Sequence, residues 1–135
     1  MRYFAYGANL NPSNFWYRCP NAQFIGPTKL QDHSFFIDSY GVASVKKCLG
    51  SVVYGVTWEI SESDEESLDN YEGVSQGHYT KKIVKIDDID TLVYVSSDKG
   101  TGSGRSSYMR DIITNADTHD FPIEYIKYLE KLFNT

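Results

Sequence analysis

Cysteine is scarce in this chain: Cys19 and Cys48 are the only two among 135 residues, and neither sits in a metal-ligand spacing. A disulfide scaffold and a zinc site therefore have no basis, and two small buried hydrophobes are the simplest reading. Long apolar runs are missing as well, since no stretch approaches the ~20 residues a membrane-spanning helix needs, and no membrane partner is expected. The opening Met1-Arg2-Tyr3-Phe4-Ala5-Tyr6 passes straight into strand-like residues without the apolar core and small-residue cleavage site of a secretory leader, so a cytoplasmic location is expected. Positive charge is in deficit: 13 Lys and Arg against 18 Asp and Glu leave a formal charge of −5, which speaks against a nucleic-acid partner because phosphate backbones are held mainly by Lys and Arg. The densest basic stretch, Lys81-Lys82 with Lys85, reads most simply as a solvated strand face.

Several catalytic signatures are missing too. No Gly-x-Ser-x-Gly elbow occurs, and His33, His78 and His119 show no metal spacing, so nucleophilic-triad and metal mechanisms lack support and no metal is expected. Gly100-Thr101-Gly102-Ser103-Gly104 lacks the Gly-Lys-Ser/Thr ending of a phosphate-binding loop and reads as a surface loop.

What the chain does carry is aromatic residues, with 11 Tyr and 7 Phe. Tyr joins an apolar body to a polar tip, which suits both a small-sheet core and a pocket that grips a polar ligand. At this length one domain, residues 1–135, is expected.

The pattern along the chain predicts a strand over Arg2–Tyr6, a break at Gly7-Ala8-Asn9-Leu10, and a short helix opened by Asn11-Pro12 and running through Phe15-Trp16-Tyr17. Ser34–Asp38 and Val42–Val45 read as strands around a turn at Ser39-Tyr40-Gly41. Gly50–Ile60 is the clearest strand, with Gly55 marking a bulge or a close backbone approach. Ser61-Glu62-Ser63-Asp64 resembles a capping box opening a helix to about Tyr71. Tyr79–Ile86 and Thr91–Ser96 form a hairpin around Asp87-Asp88. Two helices follow, near Tyr108–Asn115 and Pro122–Leu132, the second turning Ile123, Ile126, Leu129 and Phe133 to the core. Strands first, one central helix, a hairpin, then helices: the order predicts an α+β domain whose mixed sheet is closed or partly closed into a small barrel with flanking helices.

Glu72 is the residue that asks for an explanation. It ends a helix, where the dipole disfavours negative charge, and lies four positions after Leu68 on the same face. If Leu68 is buried, Glu72 points inward, and burial raises its pKa further, which is the environment of a proton-transfer group. Gly73 would cap the helix in the left-handed conformation and hold the carboxylate at a turn beside a sheet end. An exposed glutamate at a frayed helix end is the plainer reading of these residues taken alone. The loop Tyr6-Gly7-Ala8-Asn9-Leu10 leaves a strand end, and its consecutive amides could hold a carboxylate or an oxyanion; an ordinary strand-to-helix connection is the competing reading.

Taken together, these elements resemble the γ-glutamylcyclotransferase family. The likeness rests on Tyr3-Phe4-Ala5-Tyr6-Gly7-Ala8-Asn9-Leu10, on Gly55-Val56-Thr57-Trp58, on Leu68-Asp69-Asn70-Tyr71-Glu72-Gly73-Val74 followed by Tyr79, and on Tyr108 and Pro122-Ile123-Glu124-Tyr125-Ile126. The resemblance implies an enzyme that needs no cofactor and converts a γ-glutamyl amide to 5-oxoproline and a free amine or amino acid. It makes Glu72 the general acid/base, assigns Tyr3, Phe4, Ala5, Tyr6, Gly7, Ala8 and Asn9 to the substrate-binding loop, and adds Tyr79 and Tyr108 as pocket hydroxyls. Ala8 stands where the family commonly has Ser, which removes a hydroxyl and keeps the amide. Asn115-Ala116 replaces a Gly-Ala pair, and the approach to Tyr108 lacks the usual Pro-Ser.

Three functional readings stand side by side at this point: action on γ-glutamyl amino acids or related dipeptides; the same chemistry on a γ-glutamylamine, a glutathione-like peptide or a γ-glutamyl-protected biosynthetic intermediate; and a non-catalytic small-molecule-binding module. The partner expected is a small-molecule γ-glutamyl substrate. A homodimer is allowed by general frequency, with no apolar stripe that demands it.

Overall fold

A computed structural model describes residues 1–133. Among them, strand β1 (Arg2–Ala5) leads through a 3₁₀ turn (Ala8–Leu10) to helix α1 (Pro12–Arg18). A long antiparallel pair follows, β2 (Gln23–Ile37) and β3 (Ala43–Glu59), then helix α2 (Glu62–Glu72), a second 3₁₀ turn (Val74–Gln76), the hairpin β4 (Tyr79–Ile86) and β5 (Ile89–Ser96), and helices α3 (Ser106–Thr118) and α4 (Ile123–Phe133). The strands make one mixed sheet in the order β2-β3-β1-β5-β4, antiparallel throughout except for β1 beside β5.

Local chemistry sets the boundaries. Asn11 accepts the Ser13 amide at 3.0 Å and Pro12 occupies the first helical turn, so α1 starts where its missing N–H costs nothing. The capping box of α2 forms both ways: Ser61 Oγ accepts the Asp64 amide at 3.2 Å and Asp64 accepts the Ser61 amide at 2.9 Å. Asp87 and Asp88 both adopt positive φ, 51° and 63°, the geometry of a two-residue turn whose twist matches its strands.

Two expectations are corrected here. The short strands read at Ser34–Asp38, Val42–Val45 and Gly50–Ile60 belong to two long strands, and β2 already begins at Gln23, ahead of Gly26-Pro27. Proline is tolerated because β2 is an edge strand, and register shifts at Phe24/Gly26 and Gln31/His33 absorb the irregularities. Ile123, expected inside, is 59% exposed. Phe121, just before α4, packs against Tyr125 and Tyr54 and fills the space, so the inward face is Tyr125, Ile126 and Leu129.

The core is aromatic. Trp58 is fully buried, with Phe15 at 4.4 Å between ring centroids, Phe24 at 5.1 Å and Trp16 at 5.2 Å. Each fully buried ring of this kind contributes roughly 1.5–3 kcal/mol of transfer free energy. Gly55 is a close approach and not a bulge: a Cβ there would lie 2.3 Å from the Ala5 carbonyl, where β3 meets the end of β1.

The barrel stays partly curled. The far half of the β2–β3 hairpin folds back towards β5, and the Ser96 amide reaches Ser44 Oγ at 2.9 Å while Ser96 Oγ reaches Asp38 at 2.6 Å. Side chains hold the curl; β2 and β4 remain the two edges of the sheet. Among the described residues, no helix is long and apolar enough to cross a membrane.

Candidate active site

The turn after β1 and the end of α2 converge on one cavity of about 240 Å³. Tyr3, Phe4, Tyr6, Gly7, Ala8 and Asn9 line one wall, and Tyr71 with Glu72 lines another. Tyr79 comes from the start of β4 and Tyr108 from α3, with Ala43 between them at the start of β3. Of the residues singled out in the sequence, only Ala5 stays outside the lining; it is buried at the contact with Gly55.

Glu72 sits where the helix pattern put it. Leu68 is fully buried, and Gly73 ends the helix with φ 66° and ψ 39°, its amide turned back to Asn70 and Asp69 carbonyls. A Cβ at Gly73 would meet the His78 ring at 2.8 Å and would sit at a φ that side chains rarely adopt, so the turn favours glycine. Burial raises the Glu72 pKa to about 7, and the nearby Arg18 guanidinium offsets part of that rise. Among the described residues no side chain or amide hydrogen-bonds this carboxylate, which leaves its oxygens open to a ligand.

The aromatic hydroxyls are differently engaged. Tyr6 donates to the Tyr94 carbonyl at 2.6 Å, and Tyr79 donates to the Ala43 carbonyl at 2.7 Å. Tyr108 accepts the Ala43 amide at 2.9 Å, so among the described residues its own proton remains undonated. Burial and the Glu72 charge both raise the Tyr3, Tyr6, Tyr79 and Tyr108 pKa values, with burial the larger cause in each. All four stay protonated at neutral pH.

Asn9 has both ends of its side chain occupied. Its Nδ2 donates to Tyr3 Oη at 3.0 Å and its Oδ1 accepts from Arg18 at 3.1 Å. It holds the turn in shape while the leading amides of the Ala8–Leu10 turn have no partner within that turn.

Two residues that reasoning from sequence did not assign to the site stand close by. Arg18, in the last turn of α1, lies over the Tyr71 ring at 3.5 Å from its centroid, and its positive charge acts on Glu72. Asp69, one turn before Glu72, accepts from Tyr94 Oη at 2.7 Å and from Lys81 at 3.1 Å, tying α2 to β5 and β4. Asp69 lies inside the quoted Leu68–Val74 motif, but only the packing of α2 on the sheet reveals its task. Nothing local marks Arg18.

A wider groove of about 670 Å³ adjoins the cavity and shares Val42, Tyr71, Glu72 and Tyr79 with it. Glu72 therefore stands between a small inner chamber and a roomier outer one.

The geometry has clear relatives. Residues 52–129 match the model of the AIG2-like family. Gamma-glutamylcyclotransferase from Homo sapiens is 30% identical over 145 aligned positions, covering 96% of this chain and 77% of that protein, and the Mus musculus protein of the same name is 28% identical over the same shares. A solved structure titled gamma-glutamyl cyclotransferase superposes with a TM-score of 0.88 at 28% identity, covering 96% of this chain and 86% of that one. A family match over more than half the sequence, a relative 30% identical across nearly all of this chain and a shared fold lead to one conclusion: the chain belongs to the γ-glutamylcyclotransferase family.

Proposed function

We propose that this family member closes a γ-glutamyl amide to 5-oxoproline in the cavity beside Glu72, releasing an amine or amino acid. The observation that carries the proposal is the carboxyl of Glu72: lining a small pocket, free of hydrogen bonds among the described residues, and raised to about 7.

The reaction needs a neutral α-amine to attack the side-chain carbonyl. A carbon–nitrogen bond forms to close the five-membered ring, the bond to the leaving nitrogen breaks, and that nitrogen takes up a proton. A carboxyl with a pKa near the working pH is populated in both forms, so Glu72 can accept the proton from the α-amine and return it to the departing nitrogen. The net proton count is unchanged and no cofactor is required.

Holding the extended substrate in a bent shape is the second task, and pre-positioned intramolecular attack is worth up to roughly 7–11 kcal/mol. In this reading the amides of Gly7 and Ala8 meet the substrate's α-carboxylate or the oxyanion that develops on the attacked carbonyl. Tyr108 supplies a hydrogen-bond donor, and Tyr79, whose O–H is engaged by the Ala43 carbonyl, offers a lone pair. The leaving group extends into the adjoining groove, which has space for a larger amine than the inner chamber. Both cysteines are free thiols, in keeping with a reducing, cytoplasmic setting.

The test is a panel of γ-glutamyl amides differing in the leaving amine, followed by 5-oxoproline release. Product from at least one member, abolished in Glu72→Gln, is expected. Absence of product from every member would leave a binding module as the better account.

A further inference from the structure

The curled sheet stops short of closing, and the seam it leaves has an unusual lining. A cavity of about 580 Å³ runs along it, and Lys46, Lys47, Lys82, Lys85 and Lys99 all border that cavity while no carboxylate among the described residues does; Lys85 is paired with Asp90 at 2.9 Å, so the surplus positive charge rests on the other four. The chain as a whole is acidic, with a formal charge of −5, so this is a local reversal of sign. Under the lysines lies an apolar floor: Leu30, Val45, Val93 and Val95 are each 6% exposed or less.

Backbone geometry says more. Lys82, Ile83, Val84 and Lys85 are consecutive on β4, and Val45, Lys46 and Lys47 are consecutive on β3; every one of them lines the cavity. Side chains alternate across a strand, so a groove against one face would touch every second residue. The unbroken run on β4 places the groove alongside that strand, at a margin that is unpaired among the described residues because β4 is the outermost strand of the sheet. Facing it is the β2–β3 hairpin, with Leu30, Gln31 and His33 of β2 lining the groove beside Val45, Lys46 and Lys47 of β3. Side-chain hydrogen bonds bridge the seam at its ends, from Tyr79 of β4 to the Ala43 carbonyl of β3 and from Thr28 of β2 to Asp87 in the β4–β5 turn.

We propose that this seam is a docking site for an acidic peptide in extended conformation, which adds as a strand on β4 and closes the barrel. Main-chain hydrogen bonds to the free margin would supply affinity, alternate apolar side chains would rest on the valine floor, and the carboxylates between them would meet the lysines. Lys82 to Lys85 span about 10 Å at ~3.3 Å per residue, enough to register a segment of about four residues. Lysines on an edge strand by themselves guard against edge-to-edge pairing. Lys99 is on a loop, and its convergence with Lys46, Lys47 and Lys82 on one cavity is what edge protection does not account for.

The test uses the intact chain and a fluorescently labelled short peptide alternating valine and glutamate, with binding read by anisotropy. Saturable binding is expected, weakened about tenfold or more in the double variant Lys46→Glu, Lys82→Glu, and weakened similarly when alternate peptide nitrogens are methylated so that charge stays but main-chain pairing is lost. Circular dichroism and 5-oxoproline release of the double variant establish that it is folded, since neither lysine touches the Glu72 cavity. No saturable binding would overturn the proposal, as would equal binding of the methylated peptide. Inorganic polyphosphate binding more tightly than the peptide would overturn it in favour of a general polyanion site.

Discussion

The guanidinium of Arg18 lies 3.5 Å from the centre of the Tyr71 ring, one residue before Glu72, and is the cation that moderates the Glu72 carboxyl. Two opposed influences thus set one pKa: burial raises it, and Arg18 pulls it down. Removing the cation leaves burial unopposed. Arg18→Met should move the Glu72 pKa above about 7 and shift the acid limb of the kcat/KM profile to higher pH. A pH–rate profile of the two proteins checks this, and an unchanged limb would separate Arg18 from the titration.

Glu72→Gln should keep substrate affinity and lose turnover by about 10²–10⁴-fold, the range general acid–base groups contribute. The same variant carries a stability signature. Because the folded-state pKa of about 7 lies above the ordinary 4.5, the folded protein binds that proton more tightly than the unfolded chain does. The stabilisation this gives is complete below pH 4.5, is lost as pH rises towards 7, and is absent above. Glutamine removes the dependence, so Glu72→Gln should be more stable than wild type by up to about 3 kcal/mol at pH 8.5, with the advantage shrinking towards pH 4.5. Urea unfolding at the two pH values measures it.

Tyr108→Phe and Tyr79→Phe should behave differently although both hydroxyls face Ala43. Tyr108 accepts the Ala43 amide and retains its proton for a ligand, so its loss should lower kcat/KM. Tyr79 donates its hydroxyl hydrogen bond to the Ala43 carbonyl, so its loss should cost about 1 kcal/mol of stability with a smaller effect on rate. Steady-state kinetics beside thermal melts distinguish the two; equal kinetic losses would place both hydroxyls on the substrate.

Gly73→Ala should destabilise the protein by about 1–2 kcal/mol, because an alanine at φ 66° is strained and its Cβ would press on the His78 ring. The His78 ring must move to relieve the contact, and with it the turn that holds Glu72. Chemical denaturation gives the first effect and kcat the second.

Asn9→Ala should disturb the site more than Ala8→Ser. Asn9 joins the Tyr3 hydroxyl to Arg18, so its removal frees two partners at once, whereas serine at position 8 adds a hydroxyl to a turn whose amides are unchanged. KM for a γ-glutamyl amide should rise in the first variant and stay near wild type in the second.

Local features of the sequence reached far in this protein because they are short-range. The capping box at Ser61, the left-handed stop at Gly73, the Asp87-Asp88 turn and the Asn11-Pro12 helix start each depend on groups within a few residues, and all four formed as read. Glu72 was legible for the same reason: its neighbour Leu68 shares a helix face, and a buried Leu68 fixes where Glu72 points.

What the sequence could not determine depends on distant partners. The reach of β2 through Gly26-Pro27 follows from its being an edge strand, and the exposure of Ile123 from Phe121 filling the space first. The moderation of Glu72 by Arg18, the capture of Ala43 by Tyr79 and Tyr108, and the lysine-lined seam between the β2–β3 hairpin and β4 join residues far apart in the chain. Helix faces and turns are fixed by backbone periodicity, which is written locally; charges and hydroxyls are assigned their work by whichever groups the folded sheet brings within reach.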